Sequence, residues 1–412
     1  MKQDLDQLIS KHGADALWIT GAAQHNPAMV YLTGEAHITG ADLFLRPGKQ
    51  PILCHGMMER DEAAKTGYEL LSYANFPPTT YLEAANGDLL EAAAQRYVDI
   101  LKAVGLTEGT VLMYGVVEFG PQFAVAQRLA QLLPKLHLSG DFGGGILLEA
   151  RATKSPEELA RIRHMGVVTT SVVSRTEDFL TSHRVQDETL IKEDGSPLTI
   201  GEVKRLINLW LAEAGAENPE NTIFAIGRDA GVPHSGGTAS DPIKLGQTIV
   251  FDIFPCEAGG GYFYDFTRTW CLGYAPDAVQ QAYYQVKSVY DQIASELEFG
   301  VNPARYQARA CELFEEMGHE TIRQNPQITQ GYIHSLGHGV GLDVHEKPWF
   351  GREKDPANLL QIGSVFTIEP GLYYPELGYG IRLEDTWFVR EDQGFEKFVD
   401  YPMELVLRMK GV

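Results

Sequence analysis

The hydrophobic and polar positions in the first third of the chain alternate between two periodicities. Short apolar runs bounded by turn residues predict strands at 16–20, 42–45, 52–55, 68–72 and 110–114. Amphipathic stretches between them predict helices at 2–12, 58–65, 88–104 and 120–133. Strands that alternate with helices are typical of an α/β layer, so we expect an α/β domain over residues 1–149.

The pattern changes near residue 150, where a helix start is written into the sequence. Ser155 is a good N-cap, Pro156 suits the first helical turn, and Glu158 completes a capping box. A long helix should therefore run to about residue 181. Further helices are predicted at 201–214, 276–297 and 303–318, and extended segments at 222–226, 249–254, 262–272, 364–374, 379–389 and 403–407. We expect a second, α+β domain over residues 150–412, with one curved sheet and helices on its outside.

Composition narrows the classes of function. The 412 residues include 34 Lys and Arg against 55 Asp and Glu, a formal charge of −21. This acidity argues against a nucleic-acid partner and against a polybasic membrane surface, and most of it serves solubility. We find neither a membrane-spanning apolar run nor a signal-peptide pattern. The 4 cysteines are sparse and lack C-x-x-C spacing, which favours a reducing cytoplasm.

Acidic side chains interrupt apolar strand patterns in the second half of the chain. Asp252, Asp265, Glu369 and Glu384 each lie within or at the end of such a run. One carboxylate of this kind is ordinarily solvated or ion-paired, and Arg382, two residues before Glu384, offers a same-face partner. Several like charges buried together would repel each other strongly unless divalent cations bind between them.

Histidines and glycines interleave in one segment. His334, His338 and His345 fall within a short stretch that also contains Gly337, Gly339 and Gly341. Glycines permit close backbone approach and argue against a helix there, and the pattern is not the H-E-x-x-H of zinc proteases. A further histidine, His234, lies in a separate Gly-Val-Pro-His segment and is a weak signal alone.

Taken in order along the chain, these motifs resemble the M24 metallopeptidase family, in its creatinase, prolidase and aminopeptidase P branch. The motifs are Tyr264-Asp265, Gly337-His338-Gly339, His345-Glu346, Ile368-Glu369-Pro370-Gly371 and Arg382-Leu383-Glu384-Asp385. The segments 26–34 and 154–158 resemble the two-domain members of that branch. The resemblance implies a creatinase-like α/β N-terminal domain and a C-terminal catalytic domain of the pita-bread fold.

The resemblance also implies a role for each candidate residue. The metal ligands would be Asp252, Asp265, His338, Glu369 and Glu384. The catalytic residues would be His234, His345 and Glu369, with Glu369 as proton shuttle, and the substrate-binding residues His334 and Arg382, the latter beside Glu384. Two divalent cations, with manganese favoured over cobalt, zinc or iron, would hold a bridging hydroxide that attacks the scissile carbonyl.

The implied activity is hydrolysis of Xaa-Pro bonds in small peptides, as a dipeptidase (prolidase) or as an aminopeptidase P. The alternatives are a related C–N hydrolase acting on a small non-peptide amide or amidine, and a non-catalytic binding protein. Arg352 is a candidate for a substrate carboxylate, although a solvated arginine explains it as well. The resemblance further implies a homodimer. The connection from Asp252 to Asp265 is longer than usual and suggests a hairpin extended by two residues, which keeps both acids on one face.

Overall fold

The structure is a computed structural model that describes residues 4–143, 145–351 and 355–410. It divides into two compact units. The first comprises Met1–Arg151 together with Gly259–Gly261, and the second comprises Ala152–Ala258 and Tyr262–Val412. Across the described ranges, no helix combines the length and the apolar character that crossing a membrane requires.

The first unit is built on a mixed sheet in the order β4-β3-β2-β1-β5-β6. Its strands are β1 (Ala16–Gly21), β2 (Ala41–Leu45), β3 (Ile52–His55), β4 (Glu69–Ser72), β5 (Gly109–Val116) and β6 (Leu136–Gly140). Its helices are α1 (Leu5–Lys11), α2 (Pro27–Thr33), α3 (Arg60–Ala64), α4 (Pro78–Ala84), α5 (Leu89–Ala103), α6 (Phe119–Leu132) and α7 (Gly145–Arg151). Separate apolar clusters contain Leu17 and Ile19 on the one hand and Trp18 on the other, as the alternation along β1 requires.

Four elements of the first unit escaped the sequence pattern, and one of them is the short helix α7. Strand β6 is an edge strand with mostly exposed side chains, so it carries little apolar signal. Helix α4 has no buried residue, and helix α2 is a short helix that Asn26 caps by accepting a hydrogen bond from the Met29 N–H. Short or fully exposed elements lack the periodicity on which sequence-based prediction depends.

The second unit begins with the helix start that the sequence predicted. The Ser155 side chain accepts a hydrogen bond from the backbone of Glu158, and the Glu158 side chain accepts one from the Ser155 N–H. The helices of this unit are α8 (Pro156–Thr181), α9 (Ile200–Glu213), α10 (Asp277–Ser295) and α11 (Ala304–Glu316). A large apolar cluster packs α10 and α11 against the strands that follow them.

The strands of the second unit are short and numerous. The earlier ones are β7 (Arg184–Gln186), β8 (Thr189–Ile191), β9 (Ala216–Glu217), β10 (Ile223–Ile226), β11 (Thr248–Ile253), β12 (Cys256–Glu257) and β13 (Phe266–Leu272). The later ones are β14 (His338–Gly339), β15 (Glu346–Trp349), β16 (Val365–Ile368), β17 (Gly371–Tyr374), β18 (Tyr379–Arg382), β19 (Asp385–Val389), β20 (Phe395–Lys397) and β21 (Val406–Leu407).

The expected single curved sheet is wrong, because these strands form separate sheets. The principal ones have the orders β10-β11-β13-β21 and β15-β14-β16-β19-β20, with β17 and β18 as a separate ladder. Pro370 has no N–H to donate and divides the predicted strand 364–374 into β16 and β17. The predicted strand 379–389 also breaks, and there an isolated bridge pairs Glu384 with Thr267 of β13, which links the two larger sheets.

The connection between Asp252 and Asp265 is not the simple extended hairpin that we expected. Strand β12 leaves β11 and β13 and pairs with β9, and Gly259–Gly261 groups with the first unit. The register still pairs Asp252 with Thr267, two residues after Asp265. Both acids therefore lie on one face of the sheet, because side chains two apart on a strand share a face.

Candidate metal centre

A cavity of about 700 Å³ in the second unit collects the candidate residues. Its lining includes every site residue named from the sequence: His234, Asp252, Asp265, His334, His338, His345, Glu369, Arg382 and Glu384. They come from segments far apart in sequence, so the fold is what brings them together. Asp252, Asp265 and Glu384 are buried and Glu369 is half-buried, while His234 and His345 are exposed.

Three side chains from different strands come close enough to share one ion. Asp265 lies just before β13, His338 is in β14, and Glu384 follows β18. Each offers one ligand atom, and these atoms all lie within 4.8 Å of one another. The backbone bridge between Thr267 and Glu384 holds two of the three contributing segments together.

Three buried carboxylates of the cavity each have an oxygen without a hydrogen-bond partner in the described ranges. Within the described ranges, Asp252 Oδ1, Asp265 Oδ1 and Glu384 Oε1 are buried and have no hydrogen-bond partner. Burial, reinforced by neighbouring acids, raises the pKa of Asp265 and of Glu384 well above the ordinary range. Buried polar atoms normally find partners, so this donor set fits a divalent cation.

His338 is prepared to act as a neutral ligand. Burial, followed by the neighbouring His345, lowers the pKa of His338 to about 3. Its Nδ1 lies 3.1 Å from the Gly339 carbonyl oxygen, so we assign the ring proton to that nitrogen. The free Nε2 then points between Asp265 Oδ2 at 3.5 Å and Glu369 Oε1 at 3.4 Å, as a metal-binding imidazole requires.

Arg382 does not pair with Glu384 as the two-residue spacing suggested. Strand β18 ends at Arg382, and Glu384 instead pairs with Thr267 in an isolated bridge. The guanidinium instead donates from Nη2 to Asp252 Oδ2 at 2.5 Å and from Nη1 to the Tyr373 hydroxyl oxygen at 2.8 Å. Glu384 Oε2 accepts from the Thr267 hydroxyl at 2.6 Å. Arg382 therefore orients one acid of the site and leaves another open.

Tyr373 is a buried residue of the site that the sequence did not reveal. Its hydroxyl lies 2.8 Å from His334 Nε2 and accepts the hydrogen bond from Arg382. The hydroxyl thus connects His334 to the guanidinium that holds Asp252. In the sequence, Tyr373 lies in an apolar strand and is indistinguishable from a core residue. Only the folded structure shows that its hydroxyl belongs to the site.

Glu369 has the environment of a proton carrier. Burial raises its pKa to about 8, assisted by Asp252 and opposed by Arg382. Its backbone N–H donates to the Leu336 carbonyl oxygen at 2.8 Å, and its Oε2 lies 3.8 Å from His334 Nδ1. A carboxyl whose pKa lies near neutrality exchanges a proton more readily than an ordinary glutamate does.

The opening of the cavity combines imidazoles, an acid and apolar side chains. The ring centroids of His345 and His338 are 4.2 Å apart, and partial desolvation of the otherwise exposed His345 lowers its pKa. Glu220 also lines the cavity and was missed, because an exposed loop acid reads only as a solubilising charge. The candidate Arg352 lies outside the described residues.

Comparison with known proteins identifies the family. The model of metallopeptidase family M24 matches residues 161–391, more than half of the chain. The chain belongs to metallopeptidase family M24. All of the candidate site residues lie within the matched segment, and those that resemble the family's motifs are the ones that meet in the cavity.

Curated relatives of this M24 chain include proteins named as Xaa-Pro peptidases. A Xaa-Pro dipeptidase of Pyrococcus furiosus is 33% identical over 193 residues, which is 46% of this chain and 51% of the relative. A putative Xaa-Pro aminopeptidase of Mycoplasma genitalium is 29% identical over 60% of this chain and 62% of the relative. The chain therefore spans about half to three-fifths of the length of these curated relatives.

Solved M24-like structures share the fold of the whole chain. A prolidase from Pyrococcus horikoshii OT3 has a TM-score of 0.72 at 20% identity, covering 98% of this chain and 99% of that one. A Xaa-Pro dipeptidase from Bacillus anthracis has a TM-score of 0.74 at 19% identity, with 98% and 99% covered. The expected fold class, a creatinase-like α/β domain followed by an α+β pita-bread domain, is confirmed.

Proposed function

We propose that this M24 chain is a metal-dependent peptidase that hydrolyses Xaa-Pro bonds in small peptides. The observation that carries the proposal is the cavity in which acids with unpartnered buried oxygens surround a neutral imidazole. The relatives named Xaa-Pro dipeptidase and Xaa-Pro aminopeptidase support the choice of bond. An adventitious acidic patch would be exposed, whereas these carboxylates are buried together.

Two divalent cations are the cofactors that we infer, with manganese favoured. The residues that would hold them are Asp252, Asp265, His338, Glu369 and Glu384. When bound, such cations supply a water molecule that ionises near neutral pH and a positive field for the developing oxyanion. Four carboxylates balance the charge of two dications, which makes the inferred pair electrostatically reasonable.

The protein's own residues would position the substrate and move protons. Glu369 would pass a proton to the departing prolyl nitrogen, which leaves poorly unless it is protonated. His345 and His234 would donate hydrogen bonds to the scissile carbonyl oxygen as negative charge develops there. Arg382 would hold Asp252 in one orientation, and His334 would line the substrate pocket beside Tyr373.

The opening of the cavity suggests how a peptide would lie. Phe254, Trp349 and Phe350 provide an apolar wall suited to a pyrrolidine ring. Glu220 is the acid at the opening, and we infer that it faces a cationic end of the substrate. An ion pair between the substrate ammonium and this carboxylate would strengthen binding only modestly, because Glu220 is exposed to water.

The test is hydrolysis of a defined panel by protein stripped of metal and then supplied with Mn²⁺, Co²⁺ or Zn²⁺. The panel contains an Xaa-Pro dipeptide, an Xaa-Pro-Yaa tripeptide, a matched peptide without proline, and a small non-peptide amide. We expect cation-dependent cleavage of the proline peptides alone. Cleavage of the dipeptide identifies a dipeptidase, and cleavage of the tripeptide alone identifies an aminopeptidase P.

Two outcomes would contradict the proposal. Full activity in metal-free protein would remove the cations from the reaction, and cleavage confined to the non-peptide amide would favour the alternative C–N hydrolase. The expected homodimer and cytoplasmic location stay predictions. Light scattering of the purified protein tests the first, and cell fractionation tests the second.

A further inference from the structure

A buried ion pair lies beside the start of helix α8. Directly before the Ser155 cap, the Lys154 ammonium donates to Glu346 Oε1 at 2.6 Å. Both side chains are only 1% exposed. The two residues are 192 positions apart in sequence, and Glu346 immediately follows His345. A buried ion pair of this kind costs desolvation and is poor evidence for stability alone, so its location is informative.

Glu346 lies in the segment that carries the imidazoles of His338 and His345. It begins β15, whose register pairs Glu346 with Gly339 and Trp349 with His338, with an irregularity between them. A Cβ on Gly341 would come within 2.1 Å of Glu346 Oε1, so only glycine leaves room for this carboxylate. The carboxylate therefore fills the inside of the loop that runs from His338 to His345.

The first turns of α8 also hold the other side of this loop. Glu158 accepts a hydrogen bond from the Tyr262 hydroxyl, and the Tyr262 N–H donates to Glu257 Oε2 at 2.8 Å. Arg161 donates to both oxygens of Glu257, at 2.9 and 2.6 Å. The neighbouring Phe263 N–H donates to the Gly341 carbonyl oxygen at 2.8 Å. One helix end thus anchors the histidine loop and the connection that leads to Asp265.

We propose that Lys154 is a positioning residue that fixes the imidazole of His345 through Glu346. It rests on the proposed function, because His345 matters only if the cavity hydrolyses a carbonyl substrate. Lys154 is not among the residues that line the cavity. Its ammonium neutralises Glu346 and locks the carboxylate beneath the loop, so His345 meets the substrate without first having to be ordered.

The experiment compares Lys154→Met, Lys154→Arg, Glu346→Gln and the double variant Lys154→Met/Glu346→Gln. The matched control is Lys192→Met, which breaks a Lys192–Glu202 pair of 2.5 Å on the half-exposed surface. Thermal unfolding establishes that each variant folds. Steady-state kinetics on the cleaved peptide separates kcat from KM, and ¹⁵N-histidine spectra of the metal-free protein report the His345 ring without any turnover.

We expect Lys154→Met to lower kcat by about 10- to 100-fold with KM changed less than about threefold, the range seen when groups that orient active-site ligands are removed. The His345 signal should shift or broaden. Lys154→Arg and the double variant should recover most of kcat, because each leaves no uncompensated buried charge, while Lys192→Met should match the wild type. Should Lys154→Met fail to fold, Glu346→Gln alone must show the kcat loss and the altered signal.

An unchanged His345 signal with wild-type kcat in a folded Lys154→Met protein would overturn the proposal. So would an equal loss in the double variant and the single variants with no rescue by arginine. If the wild-type protein cleaves none of the panel, the proposed function fails while the histidine spectra still decide whether Lys154 orders the ring. The two failures are therefore distinguishable.

Discussion

Glu384 and Asp385 are adjacent acids that the fold treats in opposite ways. Asp385 is fully buried, and its two oxygens accept hydrogen bonds from Arg268 Nη2 at 2.8 Å and from the Tyr290 hydroxyl at 2.5 Å. Glu384 faces the cavity and keeps one buried oxygen without a partner in the described ranges. A carboxylate that is satisfied inside the protein serves the fold, and one that is left unsatisfied is available to a ligand.

The first unit contains another buried acid whose oxygens accept hydrogen bonds within the protein. Asp42 is buried and accepts hydrogen bonds from Trp18 Nε1 at 2.7 Å and from the hydroxyls of Tyr73 and Tyr97 at 2.5 and 3.2 Å. Burial alone therefore does not mark a functional acid in this molecule. The distinguishing feature is the missing donor, together with the crowding of like charges.

The largest expected effect comes from removing an unsatisfied acid. Glu384→Gln should lower hydrolysis by more than about 100-fold, beyond the loss typical of residues that only support a ligand. In metal-free protein the same change should leave the melting temperature unchanged or raise it, because it removes like-charge repulsion. Peptide assays, metal analysis and thermal unfolding in chelator measure the three quantities. A melting temperature well below wild type in chelator would place Glu384 among the structural acids.

A second variant removes the cationic partner of the buried Asp385. Arg268→Met leaves Asp385 buried without its cation and should cost about 3–5 kcal/mol of unfolding free energy. Arg268 also donates to the backbone carbonyl oxygens of Glu384 and Pro402, at 2.8 and 2.9 Å, so the loss should appear with or without metal. Denaturant unfolding of both forms measures it. Stability equal to wild type would show that the distinction between the two acids is wrong.

The pH dependence of stability offers a third way to separate the two kinds of acid. In metal-free protein, burial raises the Glu369 pKa from its ordinary 4.5 to about 8. Between these values the folded protein holds a proton that the unfolded chain has released. This contribution to stability is therefore complete below pH 4.5 and is lost as the pH rises through about 8.

Melting temperatures of the metal-free protein should fall as the pH rises from 5 to about 8 and level off above that, and saturating Mn²⁺ should flatten the curve. Glu369→Gln supplies the matched control, because it removes the titrating group and should weaken the slope. A slope that survives both treatments would assign the pH dependence to groups outside the cavity.

The smallest expected effect concerns the opening of the cavity. Glu220→Gln should raise KM about two- to fivefold for a peptide with a free amino group, since exposed ion pairs contribute at most about 1 kcal/mol. The change should vanish for an N-acetylated peptide and at high salt, and kcat should stay near wild type. Glu391→Gln, an exposed acid that is not part of the cavity lining, is the control. Equal KM changes in the two variants would remove Glu220 from substrate recognition.

Local signals predicted much of the fold and many of the residues that line the cavity. The capping box at Ser155 and the strand at 52–55 depend on neighbouring residues, and both appear where the pattern indicates. The acids inside apolar runs were visible for the same reason. These features are local in sequence, so residue type and spacing are sufficient to find them.

Features that depend on distant partners were not predictable in this way. The Arg382 guanidinium reaches Asp252, 130 residues away, only because β18 ends where it does and packs near β11. Tyr373 reads as a core residue until its hydroxyl is found between His334 and Arg382. The link between the two larger sheets likewise depends on the Thr267–Glu384 bridge, which no local pattern encodes.

The parallel pairing of β13 with β21 has a consequence for how the protein is made. Cys271 pairs with Val406, and Arg268 donates to the carbonyl oxygen of Pro402, which lies 134 residues later in the chain. On the ribosome, the edge of β13 at Cys271 and Leu272 therefore stays open long after this strand has emerged. An unpaired strand edge is a site where other chains can associate, and the late arrival of β21 prolongs that exposure during synthesis.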